Sequence, residues 1–239
     1  MSGRWDAQRI RFLQEAAERA QFHAELAQQI VLHLGGCRTL LDAGCGLGYL
    51  SLALAPYVER ITAADRDENA LRFLARQCTE KGVTNIAIHC GALEAFRPAQ
   101  PFDAAVFCLF GQTEQAFLLA KRLCRRKAVF IKRNEAFRRF SAEKAAVRPQ
   151  NGYAQAVAFL RERGVPFFAQ EVCASLDQPL RSVEDARRFL SLYNRPQAVD
   201  AMSNEVLRAA LVETGEAEFP YLLPGARRLG MIVLDAQAL

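Results

Sequence analysis

Between Thr39 and Leu54 the chain runs T-L-L-D-A-G-C-G-L-G-Y-L-S-L-A-L, which sets a carboxylate, Asp42, two residues ahead of three alternate glycines, Gly44, Gly46 and Gly48. Glycine serves where φ must be positive or where a ligand has to approach the backbone with no Cβ in the way. The apolar run after Gly48 predicts a helix, whose first N–H groups and positive dipole end face the turn. Such a strand–turn–helix unit can press close against a nucleotide. The pyrophosphate pattern G-x-G-x-x-G would need its last glycine at position 49, and this chain has Tyr49 there. Asp42 would also repel a phosphate, whereas it attracts an ammonium or a sulfonium group.

A second acid lies at the right distance. The segment R-I-T-A-A-D predicts a short strand ending at Asp65, 21 residues beyond Gly44. Nucleotide-binding α/β folds place an acid about 20 residues past the first glycine, where it accepts hydrogen bonds from ribose hydroxyls. Asp65 is the expected ribose ligand. Asp67, just before the helical run E-N-A-L-R-F-L, is expected to cap that helix.

The pattern D-x-G-x-G-x-G behind an apolar strand resembles motif I of the class I S-adenosylmethionine (SAM)-dependent methyltransferases. The resemblance implies SAM as cofactor and S-adenosylhomocysteine (SAH) as product. It also implies a donor site at Asp42, Gly44, Cys45, Gly46 and Gly48, with Asp65 and Arg66 beyond them. Asn85 to Cys90 is strand-like and leads into Gly91. Family members usually carry an aspartate next, near the adenine amino group. Ala92 departs from that, so adenine recognition would fall to backbone groups near Ala92 and Leu93. Asp103 to Phe110 is the expected fourth strand, ending in this family near the methyl-transfer position, which adds Cys108 to the donor site. The N/D-P-P-Y/F tetrapeptide of many adenine-N6, cytosine-N4 and glutamine methyltransferases is missing there, which argues against those subclasses.

Composition sets outer limits. The 239 residues are 51% hydrophobic and 24% charged, which suits one packed α/β domain with an appendage rather than a disordered chain. The N-terminus lacks the apolar core of a secretory signal, and no apolar run has the length of a membrane span. Seven scattered cysteines without a C-x-x-C pair point to a cytoplasmic protein with neither disulfides nor a metal site. The net charge of +5 is local: Lys121 to Arg139 holds nine basic residues and one acid, so the rest of the chain sums to −3. That stretch could face nucleic acid or an anionic small molecule, or be a solvated helix end.

These residues need elements to position them. Phe12, Leu13, Ala16, Ala20, Leu26, Ala27, Ile30, Val31 and Leu34 recur at helical spacing, predicting a helix or helix pair over residues 4–34 that stops at Gly35-Gly36. Strands are expected at 38–42, 60–65, 85–90, 103–110, 127–132 and 167–175, with helices at 48–58, 67–81, 112–125 and 150–163. The alternation predicts a parallel sheet covered on both faces, with ligands at the carboxyl ends of its strands. Helices are expected from Ser182 to Asn194 and over 199–213, and a last strand at 228–235. The resemblance fills this out to a seven-stranded, mostly parallel, doubly wound Rossmann-like sheet. Residues 1–36 would form a helical lid, residues 37–239 the SAM-binding domain, and 177–220 a helical insertion covering the substrate before an antiparallel last strand at the sheet edge.

Methyl transfer from a sulfonium needs the nucleophile held close and in line, and a base only where that nucleophile carries a proton. His23, on a helix that a lid could bring over the methyl group, is the candidate base. Lys132 and Arg133 at the end of the fifth strand suggest an anionic acceptor, and Tyr221 is a further candidate for the substrate pocket. The first reading is a small-molecule methyltransferase. Rivals are an RNA or protein methyltransferase using residues 121–139, and a non-catalytic SAM- or nucleotide-binding regulator. No membrane partner is expected, and the oligomeric state is left open, a homodimer included.

Overall fold

The computed structural model describes residues 5–134 and 151–239. In chain order its elements begin with α1 (Ala7–Arg19), α2 (Phe22–Val31), β1 (Thr39–Ala43), α3 (Tyr49–Leu54), β2 (Arg60–Asp65), α4 (Glu68–Lys81), β3 (Ile86–Cys90) and β4 (Phe102–Cys108). Next come α5 (Thr113–Leu123), β5 (Cys124–Arg133), α6 (Tyr153–Glu162), β6 (Phe167–Ser175), β7 (Gln178–Leu180), α7 (Val183–Ser191), α8 (Pro196–Asp200) and α9 (Asn204–Ala209). The chain closes with β8 (Val212–Glu213), β9 (Tyr221–Leu223) and β10 (Ala226–Asp235).

Seven strands form the main sheet in the order β3-β2-β1-β4-β5-β10-β6. β1 pairs in parallel with both β2 and β4, so strand order reverses around it. The crevice at the carboxyl ends of such a switch point is where open α/β sheets bind ligands. The last strand, β10, runs antiparallel between β5 and β6, one place in from the edge where it was expected, and β6 is the edge strand. β10 is clamped on both sides because its central residues, Leu229 to Leu234, are apolar apart from Gly230 and bury in the core.

Alternate strand residues feed two cores. On one face Leu40, Ile61, Val106, Val129, Ile131 and Met231 pack with Leu26 and Ile30 of α2 and with Leu50 and Leu54 of α3. On the other, Leu41, Ala105, Phe107, Phe130 and Ile232 pack with α5 and α6. The expected single N-terminal lid is therefore divided. α2 is a core helix because Phe22, Leu26, Ala27 and Ile30 form one buried stripe.

α1 belongs elsewhere. Its Phe12 ring meets Phe189 of α7 edge-on at 5.1 Å, within a cluster that includes Leu180, Val199, Leu207 and Leu223. Gln178 donates to the Phe12 carbonyl, Arg11 pairs with Asp185 at 2.6 Å, and Arg181 pairs with Glu15. The region expected to be a helical insertion also carries a three-stranded sheet, β7-β9-β8. The helix expected over 199–213 is instead two short helices, with Ser203 capping the second through a bond to the Val206 amide. Among the described residues no helix is long and apolar enough to cross a membrane.

Candidate active site

The glycine turn closes as its spacing demands. Gly44, Gly46 and Gly48 adopt φ of 71°, 54° and 76°, the left-handed region that side chains resist. The Gly44 and Cys45 amides bond to the Ala64 carbonyl at 2.8 and 3.0 Å, which ties the turn to β2. A Cβ on Gly48 would run into the Leu74 side chain, and one on Gly44 into the Phe110 ring. Gly48 thus lets α4 pack beneath the turn.

The two acids divide their work. Asp65 Oδ2 accepts the Gly46 amide at 2.9 Å and Oδ1 accepts the Asp67 amide at 3.0 Å, so the expected ribose ligand also braces the turn. Asp67 caps α4 through the Asn69 and Ala70 amides, as its position predicts. Its other oxygen accepts the Trp5 amide at 2.9 Å, and Asn69 holds the Trp5 carbonyl. Trp5 then lies over the turn, its Cζ2 3.1 Å from where a Gly46 Cβ would stand.

Asp42 is 1% exposed and accepts the Ser51 hydroxyl at 2.5 Å. Burial pushes its carboxyl up to about 6; the Ser51 bond opposes that rise and the charge of Asp65 adds to it. Asp42 lines a cavity of about 610 Å³ with Gly44, Cys45, Gly46, Gly48 and Cys108. The same cavity reaches His23, Tyr49, Arg133, Tyr193 and Arg227. Six donor-site residues named from the sequence, together with His23 and Arg133, thus meet in one space. Trp5, Arg9, Tyr193 and Arg227 also line it and carried no motif signal.

The cavity residues differ in charge. Burial, with a smaller push from the charge of Arg227, lowers the His23 imidazole to about 4, so the ring is neutral at neutral pH. It stacks on Tyr49 with centroids 5.4 Å apart. The Tyr49 hydroxyl is buried with no hydrogen-bond partner. His33 packs against Phe168 and His89 against Phe96, outside the cavity.

Other sequence candidates are not in the cavity lining. Asp65, Arg66, Ala92 and Leu93 lie beyond its edge, with Arg66 and Ala92 exposed and Leu93 buried. Tyr221 sits in β9, packed with the Phe12 and Leu180 cluster. Lys132 is 2% exposed and points to the Phe110 carbonyl, 3.4 Å away. It faces the α5 side of the sheet with Ala128 and Phe130, whereas Arg133 turns into the cavity.

The basic stretch is divided between the two ends of β5. Arg122 donates to the Leu93 and Phe96 carbonyls, Arg125 pairs with Asp103 at 2.5 Å, and Arg126 donates to the Gly35 and Gly36 carbonyls. Arg125 and Arg126 lie at the amino end of β5, away from the glycine turn, whereas Arg122 closes α5 and reaches the segment after β3. Arg138 and Arg139 are outside the described residues.

Residues 40–127 match the family described as "Methyltransferase domain". Two curated relatives match shorter segments. The tRNA (uracil-5-)-methyltransferase homolog A of Mus musculus is 34% identical over 65 residues, 27% of this chain and 11% of that protein. Ribosomal RNA small subunit methyltransferase G of Pseudomonas putida is 35% identical over 77 residues, 31% of this chain and 35% of that protein. The matches thus span about a tenth and about a third of the relatives' own lengths.

Among solved structures the YcgJ protein of Bacillus subtilis aligns with a TM-score of 0.53 at 15% identity, over 88% of this chain and 98% of that one. Precorrin-6y C5,15-methyltransferase of Geobacter metallireducens aligns at 0.52 and 13%, over 87% and 86%. The fold is that of a Rossmann-like methyltransferase domain. Residues 40–127 thus match a methyltransferase domain, and the likeness to the solved structures is one of fold.

Proposed function

We propose that this protein binds SAM at the glycine turn and transfers its methyl group to a small anionic acceptor. The observation that carries the reading is the single cavity joining Asp42 and the three-glycine turn to His23, Arg133 and Arg227. The donor fits what the turn offers: three left-handed glycines, a carboxyl for an ammonium group, and an orphaned Tyr49 hydroxyl. Bound SAM supplies an electrophilic methyl group on sulfur. Asp42 faces the donor's ammonium, Gly44 to Gly48 give its methionine end backbone contact, and Asp65 holds the ribose while bracing the turn. Neutral His23 accepts a hydrogen bond from the acceptor's nucleophile. Arg133, with Arg9 and Arg227, draws the acceptor's negative group to the same space. Holding the partners in line is the main source of rate.

Residues 5–19 and 177–223 act together as the cover, since α1 packs on the small sheet and α7 rather than on the main core. Seven cysteines left as free thiols suit the cytoplasm. The test is transfer of labelled methyl from SAM to a panel of carboxylated and phosphorylated small molecules; failure with every acceptor, despite SAH binding, would favour a regulator.

A second reading is RNA methylation, favoured by the tRNA and ribosomal RNA methyltransferases among the relatives. It predicts a steep fall of tRNA affinity with salt, because each phosphate contact releases counterions. The small-molecule reading predicts weak binding to tRNA and no methyl transfer to it.

A further inference from the structure

Beside the donor cavity, the carboxyl end of β5 and the start of α5 gather hydrogen-bond donors that have too few acceptors. Lys132 is 98% buried by its 2% exposure, and among the described residues its only hydrogen bond is the long 3.4 Å one to the Phe110 carbonyl. Burial alone shifts it, lowering its ammonium to about 8, with no carboxylate contributing. A buried cation without an anion is costly and is normally paired.

Three residues after Phe110, Thr113 opens α5. Its hydroxyl is buried and has no partner. Gln112 caps the helix without a side-chain bond, so the first-turn amides of Glu114 and Gln115 face the same end. Asn151 accepts the Thr113 amide at 3.4 Å, and the Tyr153 ring fills the space a side chain at Gly230 would take, opposite Lys132 in register. The segment over this group, Leu109 to Gln112, is partly exposed, and Leu109 holds φ of 53°, a conformation a leucine adopts only at a cost.

Among the described residues the Lys132 ammonium has one long acceptor, the Thr113 hydroxyl has none, and the amino end of the 11-residue α5 has no side-chain cap; a negatively charged oxygen group is the partner all three favour. We propose that Lys132, Thr113 and the first amides of α5 form a seat for an oxyanion, a carboxylate or phosphate carried by the methyl acceptor. This rests on the methyl-transfer reading above and adds to it the place where the acceptor's charge is held. Arg133 then guides the acceptor in the cavity, and Lys132 fixes its charged end behind the β4–α5 turn.

The test uses the full chain in thermal melts at constant ionic strength, with sodium phosphate or sodium acetate replacing chloride. Wild type should gain roughly 3–6 °C at about tenfold excess of the bound anion over its Kd. Comparing the two salts tells a phosphate seat from a carboxylate seat. Lys132→Met and Thr113→Val should each lose most of that gain, and Lys132→Met should melt higher than wild type in chloride, since it removes an unpaired buried charge. Equal anion responses in wild type and both variants, or no response in wild type, would overturn the seat. SAH calorimetry on the same samples reports on methyl-donor binding separately, and Lys132→Met should bind SAH as wild type does.

Discussion

Asp65 Oδ2 accepts the Gly46 amide at 2.9 Å, so the acid at the end of β2 and the middle glycine of the turn after β1 form one unit. Asp65→Ala should therefore harm donor binding twice, by removing the proposed ribose acceptor and by freeing the turn. Hydrogen bonds to charged groups contribute about 1.5–3 kcal/mol, so SAH affinity should fall by about tenfold or more. Calorimetry on the variant checks this, and an unchanged Kd would place the ribose contact elsewhere.

Gly48→Ala should destabilise the protein by about 2–4 kcal/mol, from a left-handed backbone and a Cβ forced into Leu74. Gly82 also has positive φ, at 64°, but open space around it. Gly82→Ala should cost only about 1–2 kcal/mol, the backbone part alone. Urea denaturation of the two variants separates packing from backbone; equal losses would show that Leu74 yields to the new methyl group.

The Asp42 carboxyl lies near 6 in the folded protein against an ordinary 3.8. The folded state then binds the proton more tightly than the unfolded one. This group's contribution is most favourable below about pH 4 and is lost as pH rises to about 6, roughly 3 kcal/mol in all. Asp42→Asn should remove that slope and stabilise the protein at pH 7. It should also weaken SAH binding, and wild-type SAH affinity should rise between pH 5 and 7 as the carboxylate forms. Denaturation midpoints and calorimetry at both pH values decide it. A flat stability profile in wild type would mean the carboxyl is not shifted.

Trp5 is the single tryptophan of the chain, and its ring stands against Gly46. Its fluorescence should change on SAH addition and saturate with the calorimetric Kd. Asp67→Ala, which frees the Trp5 amide and uncaps α4, should shrink that signal and cost about 1–2 kcal/mol of stability. An SAH-insensitive emission in wild type would mean that Trp5 lies clear of the donor.

Local chemistry made much of this legible. The glycine spacing and the Asp67 cap depend on neighbours in sequence, and the structure places both where that spacing requires; Asp65 ends β2 as expected but lies outside the cavity lining. Alternating strands and helices likewise announced the parallel sheet. What stayed hidden depends on distant partners. α1 looked like the lid's first half, but its Phe12 belongs with Phe189, far along the chain. The strands β7, β8 and β9 have at most three residues each, too short for a periodic signal. The charge run at Lys121–Arg139 suggested one surface, yet its described part follows β5 from one end of the strands to the other. Arg227 lines the site from the start of β10, where it stands opposite Ala174 of β6, a pairing between segments far apart in sequence.

The central claim is that the glycine turn holds SAM. Calorimetric titration of the wild-type protein with SAH tests it most directly, with thermal melts alongside. One SAH per chain should bind, and at about a hundredfold excess over Kd the stabilisation of about 2.7 kcal/mol should raise Tm by roughly 5–10 °C. No heat of binding and no shift in Tm at millimolar SAH would contradict the account.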